Sequence, residues 1–455
     1  MPNALAIGVA ERVITPPVGT SLAGYFHDRK STAVRDDLFA KALAASDGDE
    51  TVVLIACDLI AISNELSGQA RELIEKRAGV RGSHVMVSAT HTHTGPDVRG
   101  GRVVPRNDEW FAQAPGLLAD AACEALDTQR PAALWVGRGR EEGLAFNRRF
   151  RLPDGTEQFG TGGDPATVVG PAGPTDPELG VVKFADGNGE PFGLLVSYTL
   201  HIDVMGGTEI SADYPGVLAQ VVRSVYGPGT WCAFINGAAG NINHVDYSGT
   251  SPWPTKGPEK SRQIGRALGG HAVNIAEKAW PSTTARVGAE QQHLELAYHP
   301  IDEFVKGYAR RVHGKPEADR NWVEKEFLSA MERWEKSGQA VSVEVQVLRI
   351  GDVALVGIPG ELFVEWGLEI KKWSPIPFTL IVEQANESRG YLATWEALRR
   401  TGYEATPFVG TQLAPGAGQA IADAAFVMLR ELADPLPGSR DAGNVRPPIE
   451  WGGPT

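Results

Sequence analysis

The segment Ser88–Pro96 places two histidines at the end of an apolar run. Its sequence, SATHTHTGP, follows HVMV and stops at a Gly-Pro break. Residues i and i+2 of an extended chain point to the same side. If strand geometry persists to the end of this run, His91 and His93 face one spot. Such a pair suits a metal ion or a polar substrate.

Other apolar runs also end in side chains that bind ligands. In open α/β sheets, ligands gather outside the carboxyl ends of the strands. Histidine and glutamate are zinc ligands, and a catalytic zinc site keeps one position open. Short motifs of this kind also occur around structural histidines, so spacing alone leaves both interpretations open. The residues that follow these runs are Asp58, His201, Asp203, Glu361 and Tyr391.

These residues need a layered framework to bring them together. We predict an α/β (α+β) fold of layered mixed β-sheets flanked by helices, because apolar β-branched runs alternate with amphipathic segments. The alternation in Val341–Ile350 predicts a strand with one face in water. The predicted strands are Thr51–Cys57, His84–Ser88, Pro191–Thr199, Trp231–Ile235, Val341–Ile350, Val353–Ile358 and Phe378–Val382. The predicted helices are Ser63–Ala78, Asp108–Leu126, Glu259–Trp280 with an interruption at Gly269 and Gly270, and Asn321–Ser337.

Length and composition limit the class of protein. The chain has 455 residues, 42% hydrophobic and 22% charged, which is typical of a globular protein. No clear linker divides it, so we expect one large domain over residues 1–435 and a Pro/Gly-rich C-terminal tail over 436–455. Two loops, 160–177 and 249–257, are rich in Gly and Pro, and each is either a lid or a plain surface connection.

Charge and cysteine content indicate the partners and the compartment. The net charge of −13 argues against nucleic acid and anionic membranes as partners, because both bind basic surfaces. Three cysteines without CxxC spacing argue against a disulfide framework. The N-terminal stretch lacks the basic region of a secretion signal. We therefore expect a cytoplasmic protein that acts on a small molecule, and a homo-oligomer is compatible with the sequence.

Several motifs occur in an order that resembles one enzyme family. They are RVITPPVGTSLAGY, DDLFAKALAASDG, SATHTHTGP, HIDVMGG, PGELFVEWG, GYLAT and GYEAT. Together they resemble the catalytic domain of the neutral/alkaline non-lysosomal ceramidases, from about Gly8 to about Leu429. The resemblance implies a zinc-dependent amidohydrolase that cleaves an N-acyl bond.

The resemblance also implies roles for individual residues. The expected zinc ligands are His91, His201, Glu361 and Tyr391. His93 is expected beside the metal, where it handles protons, and Arg148 close to the reaction centre. Asn147, beside Arg148, and Asn236 are expected to contact the substrate. Two further candidates come from the sequence itself: His244 follows the Gly-rich turn, and Tyr403 either contacts the substrate or packs in the core.

The segment NGAAGNINH, residues 236–244, departs from the family pattern. Asn241 stands where those enzymes carry a nucleophilic serine, and Ala239 stands where they carry an aspartate. The zinc site that the resemblance implies would still supply a metal-activated water as nucleophile, with His93 as acid or base and Asn241 as an oxyanion donor. Two alternatives stay open. One is a metal-dependent lyase or carbohydrate-directed enzyme on the same fold, and the other is a non-catalytic binding protein.

Overall fold

Strands supply most of the framework in a computed structural model that describes residues 5–100 and 104–434. The predicted tail over 436–455 lies outside these described residues. The strands are β1 (Ala6–Val13), β2 (Ala33–Val34), β3 (Phe39–Ser46), β4 (Thr51–Cys57), β5 (Val85–Ala89), β6 (Arg130–Pro131), β7 (Ala133–Arg140), β8 (Phe146–Asn147), β9 (Arg149–Arg151), β10 (Glu157–Phe159), β11 (Gly170–Pro171), β12 (Glu178–Ala185), β13 (Pro191–Tyr198), β14 (Glu209–Ile210), β15 (Trp231–Asn236), β16 (Ile242–Asn243), β17 (Trp280–Pro281), β18 (Val287–Ala297), β19 (Ala340–Ile350), β20 (Val353–Gly357), β21 (Glu361–Leu362), β22 (Phe378–Val382) and β23 (Tyr391–Leu392).

Helices lie between the strands and cover the sheets. They are α1 (Asn64–Ala78), α2 (Asp108–Phe111), α3 (Ala114–Asp127), α4 (Tyr214–Tyr226), α5 (Pro258–Glu277), α6 (Glu303–His313), α7 (Trp322–Glu332), α8 (Val364–Trp373), α9 (Trp395–Arg400) and α10 (Ala417–Leu432). Short 3₁₀ turns span Gly82–His84, Pro165–Thr167 and Glu317–Asp319. Within the described ranges, no helix has the length and apolarity needed to cross a bilayer. The predicted α/β fold class of mixed sheets with flanking helices is confirmed.

Three mixed sheets dominate the molecule, and each contains one parallel pair. Their strand orders are β5-β4-β3-β1-β6, β15-β13-β12-β7-β17 and β18-β19-β20-β22. The parallel pairs are β4 with β5, β13 with β15, and β20 with β22, whereas the other pairings in these sheets are antiparallel. Leu54, Leu195 and Leu355, one from each sheet, belong to a shared apolar core. The three parallel pairs are therefore packed against one another.

All of the predicted strands are present, but the predicted alternation of Val341–Ile350 is only half correct. The first half of β19 alternates between buried and exposed residues. From Val345 onward every residue is buried, because α10 packs on this sheet and the polar side chains find internal partners. Gln346 Nε2 donates to Ser83 O at 2.7 Å, and Arg349 Nε donates to Gly351 O at 2.9 Å.

Two helix predictions need correction. The segment Asp108–Leu126 is two helices, since Pro115 in the first turn of α3 has no N–H to donate to Phe111 O and its ring would clash with that carbonyl in a continuous helix. The predicted interruption at Gly269 and Gly270 is wrong, because α5 is continuous. A Cβ at Gly269 would lie 2.8 Å from Val221 Cβ on α4, so this glycine permits close helix packing.

Helices α6 and α7 form a hairpin between two paired strands. The last pair of β18 and β19 is Ala297 with Ala340, so the chain leaves and re-enters the sheet at one place. Val305, Val312 and Phe327 of the hairpin form a small apolar core together with Phe408. At its edge, the Trp322 ring packs on Tyr403, with ring centroids 5.2 Å apart.

Candidate metal centre

His91 and His93 converge through a tight turn. Strand β5 ends at Ala89, and His91 has a φ of 79°, which is the left-handed region. The expectation that strand geometry carries both rings to one side is therefore wrong. The turn is fixed by His91 N, which donates to Leu59 O at 2.8 Å. It still places the two Nε2 atoms 3.3 Å apart, and a non-glycine residue in this conformation often marks a functional site.

His201 completes a cluster of three buried imidazoles. It follows β13, and its Nε2 lies 3.1 Å from His91 Nε2. The ligand atoms of His91, His93 and His201 all lie within 4.8 Å of one another. Two nitrogens bound to one tetrahedral zinc ion are separated by about 3.4 Å, given Zn–N bonds of about 2.1 Å. The observed spacing of the imidazoles fits a metal ion of this kind.

Glu361 and Tyr391 come from two short strands that pair directly in parallel, β21 and β23. Glu361 Oε2 is buried without a hydrogen-bond partner and lies 3.5 Å from His91 Nε2. Tyr391 interacts with the Glu361 carboxyl and contributes to lowering its pKa. An unpartnered carboxylate oxygen beside three imidazoles is a strong indication of a cation site, because buried charge is costly unless it is compensated.

The ionisation of these groups also suits a metal. Burial lowers the pKa of His93 to about 3 and that of His201 well below its ordinary value. Burial by itself would raise the pKa of Glu361, but the neighbouring His91 and Arg148 outweigh it and hold this pKa at about 2. Neutral imidazoles and an ionised carboxylate are the forms that bind divalent metals.

The tautomer of His91 follows from a backbone contact. His91 Nδ1 lies 2.6 Å from Ile60 O, a carbonyl that only accepts hydrogen bonds. Nδ1 therefore carries the proton, and the Nε2 lone pair faces His93 and His201. Metal-binding histidines commonly donate their second ring nitrogen in this way.

Arg148 is held rigidly beside these groups. Its Nε donates to Glu404 Oε1 at 2.8 Å, and its Nη2 donates to Gly240 O at 2.8 Å and to Tyr391 Oη at 3.0 Å. Burial acts to lower the pKa of Arg148, but Tyr391 and Glu404 outweigh it and raise this pKa. The structure thus places Arg148 beside Glu361 and Tyr391.

Asn241 uses both ends of its side chain inside the protein. Its Oδ1 accepts from Val364 N at 2.9 Å, and its Nδ2 donates to Glu365 Oε2 at 3.0 Å. These contacts join the segment before β16 to the start of α8. Its role as an oxyanion donor remains a prediction, for which the Nδ2 group has one further N–H.

The predicted substrate contacts fall in different places. His244 lines a cavity of about 200 Å³ together with Arg148 and His201. Asn147 lines a separate cavity of about 810 Å³. Asn236 is completely buried, and its Oδ1 accepts from Leu200 N at 3.3 Å. The Tyr403 ring packs edge-to-face on Tyr391, with centroids 5.5 Å apart.

Several residues near the cluster were missed by the sequence-based predictions. Tyr25, Lys256 and Glu404 contact site residues, and Gln384 Nε2 lies 3.4 Å from His91 Nδ1. The loop 249–257 supplies Lys256. Asp203, which both Tyr25 and Lys256 contact, was among the residues that the strand-end pattern indicated.

Comparison with known proteins gives a likeness of fold. No family model matches the chain. The crystal structure of neutral ceramidase from Pseudomonas aeruginosa superposes with a TM-score of 0.72 at 19% identity, covering 95% of this chain and 75% of that one. A ceramidase complexed with C2 superposes with a TM-score of 0.74 at 19% identity, covering 97% of this chain and 77% of that one. The chain therefore has, over nearly its whole described length, the fold of a neutral ceramidase.

Proposed function

We propose that this protein is a metal-dependent hydrolase, with zinc as its metal, that cleaves an amide or ester bond of a small polar molecule. The observation that carries the proposal is the group of three buried imidazoles beside the unpartnered Oε2 of Glu361. The likeness in fold to neutral ceramidases supports hydrolysis of an N-acyl bond.

The residues divide into metal holders and groups that act on the substrate. His91, His201, Glu361 and Tyr391 would hold the zinc ion, which supplies a Lewis acid and lowers the pKa of water. His93 Nε2 points at the same spot and is placed to take up or release a proton there. The guanidinium of Arg148 is placed to stabilise negative charge on a carbonyl oxygen.

The lining of the smaller cavity supports a polar substrate. This cavity of about 200 Å³ adjoins His201, and Asn243, His244 and Lys256 line it as well. Its size suits a small chemical group, and its polar side chains suit hydrogen-bonding ligands. The cytoplasmic location and the possibility of a homo-oligomer remain predictions.

Metal content tests the first half of the proposal. We expect about one zinc ion per chain by elemental analysis of the purified protein, and loss of that zinc in His91→Ala and in His201→Ala. His293→Ala is the matched control, because this histidine is exposed on β18 away from the cluster. Absence of metal from the parent protein after reconstitution with zinc contradicts the proposal.

Isotope incorporation tests the second half. The zinc-loaded protein is incubated in H₂¹⁸O with a panel of N-acyl-4-nitroanilides and 4-nitrophenyl esters. A hydrolase must place solvent oxygen in the released carboxylate, and His93→Gln should abolish this incorporation while the fold is kept. A product formed without ¹⁸O would instead support the lyase alternative.

A further inference from the structure

The Nδ1 edge of His93 faces a polar cluster that the proposed chemistry does not yet use. We call Tyr25, Asp203 and Lys256 the Asp203 cluster. Asp203 Oδ1 lies 3.7 Å from His93 Nδ1, and His93 Nδ1 is buried without a hydrogen-bond partner. A shift of about 0.7 Å by either side chain brings the two atoms to hydrogen-bonding distance.

Two donors hold Asp203 in this position. The Tyr25 hydroxyl donates to Asp203 Oδ1 at 2.5 Å, and Lys256 Nζ donates to the same oxygen at 2.8 Å. Lys256 also contacts the Tyr25 hydroxyl. The three members come from three separate parts of the chain, so the cluster exists only in the folded protein.

The loop that carries Tyr25 is built to lie against the His93 ring. Gly24 has a φ of +103°, and a Cβ at this position would lie 2.5 Å from His93 Nδ1. The Tyr25 ring packs edge-to-face on the His93 ring, with centroids 5.9 Å apart. Arg29 in turn lies over the Tyr25 ring, 4.0 Å from its centroid, and its Nη2 donates to His93 O at 2.7 Å.

We propose that Asp203 is a positioning residue that keeps the proton of neutral His93 on Nδ1, so that the Nε2 lone pair faces His91 and His201. A lone pair at Nδ1 would point at a carboxylate oxygen, which is repulsive, whereas an N–H there is attracted to it. Tyr25 and Lys256 hold the carboxylate at that edge of the ring. The same tautomer is needed whether His93 binds the metal or takes up a proton.

This arrangement repeats, with a stronger acceptor, what Ile60 does for His91. A backbone carbonyl selects the tautomer of His91, and a carboxylate selects that of His93. A carboxylate partner also makes the opposite ring nitrogen more basic than a carbonyl does. The two histidines thus reach the same tautomer through different acceptors.

The direct test is nitrogen NMR of the histidine rings. Protein labelled with ¹⁵N-histidine is recorded after treatment with EDTA, with circular dichroism to verify the fold, because a bound ion would itself select a tautomer. The His93 signals are assigned by their loss in His93→Gln. We expect the Nδ1–H form in the parent protein, and a shift toward the Nε2–H form in Asp203→Leu. Asp203→Asn, which keeps an acceptor oxygen without the charge, should fall between them.

Asp246→Asn provides the matched control. Asp246 is also an aspartate and follows β16 in the chain. Its Oδ1 accepts a hydrogen bond from Ser248 N at 2.9 Å. It should leave the His93 tautomer unchanged. An Nε2–H form of His93 in the parent protein, or no change in Asp203→Leu, overturns the proposal.

The activity readout rests on the proposed hydrolase function, and the NMR readout does not. In the zinc-loaded enzyme, Asp203→Asn should lower kcat about 10- to 100-fold with KM and zinc content nearly unchanged. If the zinc content of Asp203→Asn falls by a larger factor than its kcat, the result contradicts the proposal that Asp203 positions His93. If no substrate is turned over by the parent protein, the proposed function fails while the tautomer experiment still decides the role of Asp203.

Discussion

At the scale of single residues, the site depends on backbone positions as much as on ligands. His91 has a positive φ, and Gly24 lets the N-terminal loop approach the His93 ring. The sequence motif around His91 is visible, but its left-handed turn is not, because the turn is stabilised by Leu59 from another segment. The strand-end pattern correctly indicated His201 and Glu361 beside this pair.

Gly24→Ala should therefore disturb the cluster. A Cβ at this position overlaps the His93 ring, so we expect zinc binding weakened at least 10-fold and unfolding free energy lowered by about 1–3 kcal/mol. Zinc titration and urea unfolding measure the two effects.

Gly19→Ala separates crowding from backbone strain. Gly19 has a φ of +96°, similar to that of Gly24, but a Cβ there would meet nothing within 4 Å. This variant should share the strain and keep the zinc affinity of the parent. If Gly24→Ala and Gly19→Ala lose zinc affinity equally, the close approach of Gly24 to the His93 ring is not what maintains the site.

Asn241→Ala tests whether this residue is structural. Removal of its side chain leaves Val364 N and the Glu365 carboxylate without their partner. We expect the unfolding free energy to fall by about 1–3 kcal/mol in urea, with zinc content unchanged. Asn188→Ala, in an exposed turn, should change stability by less than about 0.5 kcal/mol. An unchanged unfolding free energy in Asn241→Ala would show that its contacts contribute little.

At the scale of elements, prediction succeeded where apolar patterns were strong. The bounds of β4 and β22 were predicted correctly, since both are short apolar runs between turn residues. Strand β3 was not predicted, because its sequence FAKALAAS is rich in alanine and has weak strand preference. It is a strand because β1 and β4 pair with it on both sides.

Neighbouring glycines of α5 should respond in opposite directions to the same change. Gly270 is exposed with nothing near its missing Cβ, so Gly270→Ala should raise the unfolding free energy by about 0.5–1 kcal/mol. Gly269 packs against Val221, so Gly269→Ala should lower it by about 1–3 kcal/mol through overpacking. Urea unfolding of both variants gives the comparison, and a similar gain from both would show that α4 and α5 separate readily.

At the scale of the whole molecule, the site draws on all three sheets. His91 follows a strand of the first sheet, His201 one of the second, and Glu361 one of the third. The general rule about strand ends anticipated this convergence, but the division into three sheets with one parallel pair each was not predicted. Sheet boundaries depend on pairing between distant segments, which local patterns do not encode.

Metal binding should therefore stabilise the protein as one unit. A ligand that binds only the folded state adds about 4 kcal/mol when its free concentration is about 1,000 times Kd. We expect EDTA to shift a single thermal transition to lower temperature without creating a second one, as measured by calorimetry. His91→Ala should abolish the difference between zinc and EDTA, and His293→Ala should keep it. A separate early transition in EDTA would show that the sheets unfold independently.

The spread of the proposed ligands along the chain has a consequence during synthesis. His91 is made early, but Glu361 and Tyr391 leave the ribosome only after most of the chain has been translated. A nascent chain that stalls before this point has imidazoles but lacks the carboxylate that completes the set. If these residues hold the metal as proposed, stable uptake would be postponed until all three sheets have formed, and a bound ion would mark a folded chain.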